Sequence, residues 1–497
     1  NFRLVKISLI RKKKLNKFKL DKLREECGVF GISNHEDSAR LVALGLHSLQ
    51  HRGQEGCGIV SFDGNTFHSE KRQGLVGDHF TNIEIIKRLP GKSAIGHNRY
   101  STTGETSLRN IQPFFADLYH GGLSIAHNGN LTNAISLRND LVKNGSIFRT
   151  TSDTETIVQL IAQSNREKIL DKITETLFKI QGGYALVILT NKKLIGIRDP
   201  LGIRPLVIGK LGNSYIFASE TCALDIVDAK FIREVENGEI VVIENNEMKS
   251  FKPFNKIKSR PCVFEYIYFA RPDSILGGEC AYEYRKRLGE ELAKESSVEA
   301  DIIVPVPDSG VPAAIGYSQS SKVKFELGLI RNHYVGRTFI EPTQNIRSLG
   351  VKLKLSSTKS ILKNKSVVLI DDSLVRGTTC NKIVKMLYKA GAKKVHVRIA
   401  CPEIKFPDFY GVDMPTKKEL LSSNKNKSEI CDFLGAASCD FLSIDGLYKA
   451  LLREKRNNNY PQFSDHYFTG EYPIKALDKL GNEKITQLSL LSNKSSS

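Results

Sequence analysis

The chain has 497 residues, of which 40% are hydrophobic and 26% charged, the composition of a globular protein with two or three domains. Its formal charge is +19. An excess of basic residues suits the binding of nucleic acid or of a polyanionic small molecule. No helix-turn-helix, zinc-finger or RNA-binding aromatic motif favours nucleic acid. No apolar run approaches the ~18–20 residues of a membrane span, so we expect a soluble protein with no membrane partner.

Residues 1–26 form a basic leader with ten Lys or Arg and three acidic residues. It contains the run RKKKLNKFKL and no core-like pattern. Two interpretations stay open, a removable propeptide and an organelle-targeting sequence. The nine cysteines are scattered singly, which indicates neither a zinc site nor a disulfide framework and is typical of reduced thiols inside a cell. We expect a cytoplasmic protein, with targeting by the leader not excluded.

Residues 27–258 consist of short apolar strands separated by glycine-rich turns, for example CGVFGI, GIVSF, YALVIL and EIVVIEN. Helix-like stretches interrupt them at 36–50 and 153–164. This pattern predicts stacked sheets with helices outside.

Four motifs in this first half carry polar groups suited to an amino-acid substrate. Cys27 precedes a strand and is followed by the small residue Gly28, as a nucleophilic thiol would be. GHNRYS places Arg99 at a strand end, where it suits an α-carboxylate. AHNGN offers the Asn128 amide and the Gly129 N–H, the parts of an oxyanion hole. TSDTE supplies Asp153 for an α-ammonium group. Together these residues indicate glutaminase chemistry.

The block resembles the class II, N-terminal-nucleophile glutamine amidotransferases, also in LHSLQHRGQEG at 46–56 and RDPLGIRPL at 198–206. The resemblance implies an αββα sandwich and the roles given above for the five residues. It also implies that the leader is removed, so that the free α-amino group of Cys27 acts as the base that activates its thiol.

Residues 259–480 change to strand–helix alternation, which predicts a doubly wound parallel sheet, and 481–497 form a polar tail. The richness of residues 416–430 in Lys, Ser and Asn predicts a mobile surface. The most specific segment is VVLIDDSLVRGTT at 367–379, a buried strand, two acids and a glycine-bearing turn. A helix at about 380–390 follows, and Gly391 is a natural C-cap.

The residue types of this segment suit a phosphorylated sugar. Asp371 and Asp372 can accept hydrogen bonds from ribose hydroxyls beside a magnesium ion. The following turn offers backbone N–H groups and hydroxyls at a helix N-terminus, which suits a phosphate. The turn residues assigned to this site are Ser373, Arg376, Gly377, Thr378 and Thr379.

The segment resembles the signature of type I phosphoribosyltransferases, which bind 5-phosphoribosyl-1-pyrophosphate (PRPP). The resemblance implies that Asp308, Ser309 and Gly310 grip pyrophosphate, and that one Mg²⁺ lies near Ser309, Asp371 and Asp372. It also implies that RNHYVGRTFIEP at 331–342 is a flap that closes over PRPP, with Arg331 and Tyr334 as its key residues.

A class II glutaminase ahead of a phosphoribosyltransferase implies a pentosyltransferase that moves ammonia from glutamine to C1 of PRPP, the first committed step of purine synthesis. It also implies a homotetramer and feedback by purine nucleotides. Many members of that combined family hold a [4Fe–4S] cluster on four cysteines. This chain has Cys262, Asp408, Ser464 and Tyr467 at those positions, so we expect no cluster.

Two alternatives are weighed against this interpretation. The first is another class II amidotransferase, coupled to a sugar-isomerase or ATP-pyrophosphatase module, and VVLIDDSLVRGTT argues against it. The second is a catalytically silent PRPP-binding regulator, and the presence of Cys27 and of the flap segment argues against that.

Overall fold

The computed structural model describes residues 27–100, 107–119, 121–332, 355–475 and 478, together with the backbone of strand β1 (Arg24–Glu25). Among these residues, no helix combines the length and apolar character needed to cross a bilayer.

The first half contains two stacked antiparallel sheets. The strands of the first sheet are β2 (Gly28–Ile32), β3 (Gly56–Phe62), β4 (Phe67–Gln73), β5 (Ser93–Arg99), β10 (Val207–Leu211), β11 (Ser214–Ala218) and β12 (Lys230–Glu234). Their spatial order is β12-β10-β11-β2-β5-β3-β4, so β2 and β5 are neighbours in the interior of the sheet.

The strands of the second sheet are β6 (Phe114–Leu118), β7 (Gly121–Leu131), β8 (Gly182–Thr190), β9 (Leu194–Arg198), β13 (Ile240–Glu244) and β14 (Glu247–Phe251), in the spatial order β14-β13-β9-β8-β7-β6. The helices of this half are α1 (Ser38–Ser48), α2 (Val76–His79), α3 (Ile83–Ile86), α4 (Ala134–Lys143), α5 (Thr154–Gln163), α6 (Ile169–Lys179) and α7 (Cys222–Asp225). A 3₁₀ turn lies at Leu108–Asn110.

Three apolar clusters hold these layers together. Val42 and Leu46 of α1 pack on the outer face of the first sheet, and Ile161 of α5 packs on the outer face of the second. Val60 and Val187 belong to the cluster between the sheets. Burial on both faces explains why the strands are nearly continuous apolar runs. The predicted αββα sandwich is confirmed, and α1 and α5 lie where helices were predicted.

The second half is built on a parallel sheet of five strands, in the spatial order β18-β17-β21-β22-β24. These strands are β17 (Ile302–Pro305), β18 (Lys324–Phe325), β21 (Ser366–Asp371), β22 (Lys394–Ile399) and β24 (Ser438–Phe441). The other strands are β15 (Ile275–Leu276), β16 (Glu279–Cys280), β19 (Leu329–Arg331), β20 (Leu355–Ser357) and β23 (Val412–Asp413). The predicted parallel sheet is confirmed.

Helices connect and cover the strands of this half. They are α8 (Ala281–Ser296), α9 (Val311–Ser321), α10 (Lys359–Leu362), α11 (Thr378–Lys389), α12 (Leu421–Asn424), α13 (Lys427–Leu434), α14 (Ile444–Leu452) and α15 (His466–Thr469). A π-helical turn lies at Glu265–Phe269 and a 3₁₀ turn at Lys417–Glu419. The predicted helix at 380–390 corresponds to α11, and Gly391 follows it with the positive φ of 100° that a C-cap glycine adopts.

The prediction of a mobile surface at 416–430 was wrong. Helices α12 and α13 occupy the segment, and two capping boxes, Thr416 with Glu419 and Asn426 with Glu429, begin the 3₁₀ turn and α13. The polar composition concealed apolar positions that face the core. These positions are Leu420, Leu421 and Ile430.

The two halves share a buried set of ion pairs. Arg52 pairs with Glu220 of its own half and reaches Glu265 of the other half at 2.7 Å. Arg204 reaches the second oxygen of Glu265 at 2.6 Å. Each buried charge has an opposite charge beside it, so replacing one partner alone would leave a costly unpaired charge in the interior.

Two segments of the second half also touch the first half. Strand β23 pairs with β1, the residues that precede Cys27. The carboxylate of Asp478 accepts hydrogen bonds from the N–H groups of Ile135 (2.6 Å) and Ser136 (3.1 Å) in the first turn of α4. An acid at a helix N-terminus satisfies donors that the helix leaves unpaired.

Candidate active sites

Cys27 lies directly before β2, an interior strand of the first sheet. Its exposed fraction is 7%, and its φ is +78°, a left-handed conformation that is uncommon for residues other than glycine. A Cβ on the next residue, Gly28, would lie 3.1 Å from the Cβ of Leu49. The small residue therefore lets the strand carrying the thiol pack closely against the end of α1.

Arg99 ends β5, the strand beside β2, and is buried. A Cβ on Gly53 would lie 2.8 Å from the main chain of Arg99, so the glycine of LHSLQHRGQEG permits a close approach that holds this strand end. His97 on the same strand bonds the carbonyl of His127 at 3.1 Å. That bond joins the two sheets where β5 and β7 lead into Arg99 and Asn128.

The predicted oxyanion-hole residues lie on β7. Asn128 is fully buried, and neither of its side-chain polar atoms has a hydrogen-bond partner among the residues that the structure describes. Buried amides are nearly always satisfied, so an unpaired one indicates a place for a ligand. Gly129 has a φ of +138°, and a Cβ there would lie 2.1 Å from the carbonyl oxygen of Gly183. Only glycine fits.

Asp153 lies beside this strand, directly before α5. Its carboxylate accepts a hydrogen bond from the N–H of Leu131 at 3.0 Å and keeps 19% of its side chain exposed. It is 3.8 Å from Nδ1 of His127. The structure therefore brings Asp153 to the Asn128–Gly129 segment of β7.

Three polar residues that sequence reasoning did not single out support this strand. Gln112 accepts a hydrogen bond from the His127 N–H at 2.8 Å, and Thr154 lies 3.0 Å from the ring of His127. Burial, with the charge of Arg99 adding to it, lowers the pKa of His97 to about 3, so its ring is neutral. In the sequence, Thr154 could have been found from its position next to Asp153 in TSDTE. No local motif indicated a role for Gln112.

The candidate PRPP site lies at the carboxyl edge of the parallel sheet, where ligands of such sheets bind. Strands β17 and β21 are adjacent, so the loops after them meet. The N–H of Val306 donates to the carbonyl of Ile370 at 2.8 Å. A Cβ on Gly310 would lie 2.6 Å from the same oxygen. Asp308, Ser309 and Gly310 are thus brought beside the loop that begins at Asp371.

Asp371 and Asp372 are both buried at this edge. The Asp372 N–H donates to Asp371 at 3.0 Å, and the Ser373 hydroxyl donates to Asp372 at 2.6 Å. Gly377, with a φ of +74°, is the N-cap of α11 and directs the backbone from the loop into Thr378. These contacts fix the two carboxylates and place the turn at a helix N-terminus.

Two arginines predicted for the PRPP turn and its flap form ion pairs with acidic side chains. Arg376 forms an ion pair with Glu419 at 3.2 Å, on the outside of the turn. Arg331 ends β19 and forms an ion pair with Asp308, so this end of the flap already touches the pyrophosphate loop. Tyr334 lies outside the described residues.

The four positions compared with cluster ligands form two sets of side-chain hydrogen bonds. Cys262 Sγ lies 3.1 Å from the Tyr467 hydroxyl, and Ser464 lies 3.1 Å from Nδ1 of His466, whose Nε2 is 2.9 Å from Asp408. Burial raises the pKa of Cys262 to about 12. Burial opposes ionisation of Asp408, but the hydrogen bond and charge of His466 outweigh it and lower that pKa. One unionised thiol and oxygen groups do not fit an iron–sulfur cluster.

Comparisons with known proteins match both halves of the chain. A glutamine amidotransferase domain model matches residues 97–225, and a phosphoribosyl transferase domain model matches residues 283–408. An amidophosphoribosyltransferase of Rhizobium etli is 55% identical over 479 residues, covering 95% of this chain and 97% of that protein. One from Bacillus subtilis is 48% identical, covering 91% and 95%. This chain belongs to the amidophosphoribosyltransferase family.

A solved structure agrees with that assignment. The glutamine PRPP amidotransferase of Bacillus subtilis, complexed with ADP and GMP, superposes with a TM-score of 0.86 at 46% identity, covering 90% of this chain and 98% of that one. As an amidophosphoribosyltransferase, the chain transfers ammonia from glutamine to PRPP and forms 5-phosphoribosylamine, glutamate and pyrophosphate in purine synthesis. The alternatives of a sugar-isomerase or ATP-pyrophosphatase partner and of a silent regulator are not supported.

Proposed function

We propose that Cys27 is the nucleophile that attacks the glutamine amide, and that Asn128 and Gly129 stabilise the oxyanion that forms. Arg99 binds the α-carboxylate of glutamine and Asp153 its α-ammonium group. The observation that carries this proposal is the fully buried Asn128 amide without a partner among the described residues, on a strand joined to that of Arg99. Donors held in place before the reaction stabilise developing charge most strongly.

The leader is removed in the active enzyme, so that Cys27 becomes the first residue. Its φ of +78° costs on the order of 1 kcal/mol for a residue with a side chain. That strain exists only while Glu26 is attached, and cleavage also frees the α-amino base. Intact-mass measurement of active protein is expected to give a chain that starts at Cys27. Full glutamine-dependent activity with residues 1–26 still attached would contradict this.

At the second site, Asp371 and Asp372 bind the ribose hydroxyls of PRPP. The turn that follows them binds the 5-phosphate, and the loop Asp308–Gly310 binds pyrophosphate. The turn residues are Ser373, Arg376, Gly377, Thr378 and Thr379. Support comes from the meeting of the two loops at one sheet edge and from the helix N-terminus that begins at Thr378.

One Mg²⁺ would be held near Asp371, Asp372 and Ser309. The fit is good in chemistry, because Mg²⁺ prefers oxygen ligands and each of these side chains offers only oxygen. When bound, the ion would neutralise charge that develops on the leaving pyrophosphate. One oxygen from each of these three side chains leaves positions on the ion free, and oxygens of PRPP and water would fill them.

The purified protein is expected to be colourless and free of iron and acid-labile sulfide. The physical reason is the group formed by Cys262, Asp408, Ser464 and Tyr467, which offers one thiol and three oxygen groups. Hard oxygen ligands suit a sulfide cluster poorly. Iron and sulfide assays on anaerobically purified protein measure this, and four iron atoms per chain would refute it.

The two reactions are coupled through the flap. Arg331 connects its first strand to Asp308 of the pyrophosphate loop, so loss of this contact should loosen closure over PRPP. We expect Mg²⁺–PRPP to raise glutaminase turnover several-fold, and Arg331→Ala to reduce the rise. Ammonia then escapes, and the ratio of glutamate to pyrophosphate increases above one. Both products are measured in the same assay.

Arg331→Lys is the matched control, because it keeps a positive charge within reach of Asp308. We expect its product ratio to stay close to that of the wild type. A ratio of one in Arg331→Ala, with stimulation by PRPP intact, would show that Arg331 neither retains ammonia nor couples PRPP binding to glutamine hydrolysis. The corresponding experiment with Tyr334→Ala tests the part of the flap outside the described residues.

We propose that the enzyme is a cytoplasmic homotetramer that purine nucleotides inhibit, without nucleic-acid or membrane partners. The nucleotides ADP and GMP bound in the Bacillus subtilis relative support feedback. The family resemblance supports the tetramer. Light scattering tests the tetramer, and the rate of synthesis with and without AMP and GMP tests the inhibition. A monomer, or a rate that the nucleotides leave unchanged, would contradict the proposal. Cell fractionation tests the location.

A further inference from the structure

A loop of the second half, residues 408–412, lies directly against the proposed oxyanion strand. A Cβ on Gly411 would be 2.9 Å from the Cα of Gly129. The side-chain amide of Asn130 donates to the carbonyl of Phe409 at 3.0 Å. The loop therefore forms part of the environment of the glutaminase site, although it belongs to the other half of the chain.

This contact is made by backbone on both sides. A Cβ on Gly183 would lie 3.0 Å from the carbonyl of Tyr410, and Gly129 in turn approaches the carbonyl of Gly183 closely. Side chains can absorb a small shift by changing rotamer, but glycine backbones in contact cannot. A displacement of Gly411 is therefore passed directly to Gly129.

Asp408 fixes the path of the loop. One oxygen of its buried carboxylate accepts hydrogen bonds from the N–H groups of Tyr410 (2.8 Å) and Val412 (2.7 Å). The other oxygen lies 2.9 Å from Nε2 of His466. An ionised carboxylate only accepts hydrogen bonds, so Nε2 of His466 carries a hydrogen, and Nδ1 lies 3.1 Å from the Ser464 hydroxyl.

We propose that Asp408 and His466 are positioning residues for glutamine hydrolysis: they hold loop 408–412 so that Gly129 keeps the geometry of the oxyanion hole. The inference rests on the proposed role of Asn128 and Gly129. Asp408 and His466 would thus act in glutamine hydrolysis without contacting glutamine or PRPP.

Asp408→Asn tests the inference with little change of volume. An amide has one oxygen and one NH₂ group, so the NH₂ group faces either the two backbone N–H groups or Nε2 of His466, which must change tautomer to accept it. We expect kcat for glutamine hydrolysis to fall at least about 10-fold, because a misplaced oxyanion donor costs transition-state stabilisation. KM for glutamine should stay within about two-fold, and so should the rate with external ammonia.

Gly411→Ala perturbs β7 at Gly129 without changing Asp408 or His466. This variant tests the inference if Asp408→Asn does not fold. Asp432→Asn, an exposed acid-to-amide change on α13, is the matched control. A selective loss of glutamine-dependent kcat in Asp408→Asn or Gly411→Ala supports the inference. Equal loss of the glutamine and ammonia reactions, or no loss of either, overturns it.

Asn128→Ala separates this inference from the function on which it rests. If Asn128→Ala hydrolyses glutamine at the wild-type rate, the proposed oxyanion hole is wrong and the inference falls with it. If Asn128→Ala loses glutamine hydrolysis while Asp408→Asn and Gly411→Ala keep it, the oxyanion hole stands and the positioning role of Asp408 is refuted.

Discussion

Replacing Cys27 by alanine is expected to abolish glutamine-dependent synthesis of phosphoribosylamine while the reaction with external ammonia continues. Without the thiol no covalent intermediate forms, and loss of a nucleophile costs roughly 1,000-fold or more. The PRPP site lies in the other half of the chain, on a different sheet, and needs only an ammonia molecule. Pyrophosphate release with glutamine, and separately with ammonium salt at mildly alkaline pH, measures the two activities.

Cys57→Ala provides the matched control. Cys57 is a buried cysteine of the first sheet, and burial raises the pKa of its thiol to about 12, so it is inert. We expect this variant to keep both activities. Loss of both activities in folded Cys27→Ala protein would contradict the assignment of the two reactions to separate sites.

Asp372→Asn is expected to have the opposite selectivity, because it removes a negative charge where PRPP binds and leaves Cys27 intact. Synthesis from glutamine and from ammonia should both fall by about 100-fold or more, since each needs PRPP held in place. The slow hydrolysis of glutamine without PRPP should persist, and PRPP should no longer stimulate it. Glutamate release with and without Mg²⁺–PRPP, together with pyrophosphate release, gives the three rates.

Asp432→Asn again serves as the control, as an exposed acid-to-amide change in the same half of the chain. Nearly unchanged synthesis by Asp372→Asn from either nitrogen source would refute the assignment of this carboxylate to PRPP. The same experiment with Asp371→Asn tests the second acid of the pair.

Local patterns were sufficient to predict the stacked sheets of the first half and the parallel sheet of the second half. The apolar spacing of Ile383, Val384 and Leu387 followed by Gly391 carries all the information needed for α11. In the segment 416–430, composition was misleading because two buried leucines and one buried isoleucine decide its structure. Capping boxes were visible in the sequence there, but their significance depends on the packing beneath them.

Contacts between distant parts of the chain could not be predicted. Asp408 and His466 are 58 residues apart, and no motif announces that they meet. The sequence positions compared with cluster ligands were predicted to hold no iron–sulfur cluster, but their hydrogen bonds were not predicted. Gln112 supports His127 through a backbone contact that depends on how two strands are paired. Such contacts follow from strand register and domain packing, which local propensity does not determine.

The contact between Gly129 and Gly411 also orders events during synthesis of the protein. The glutaminase half leaves the ribosome first and folds as a unit, so its thiol exists before the second half has been translated. Loop 408–412 can pack against Gly129 only when most of the chain has emerged. Asp478, which caps α4, emerges later still. A partly translated or truncated chain thus carries Cys27 without a finished active site.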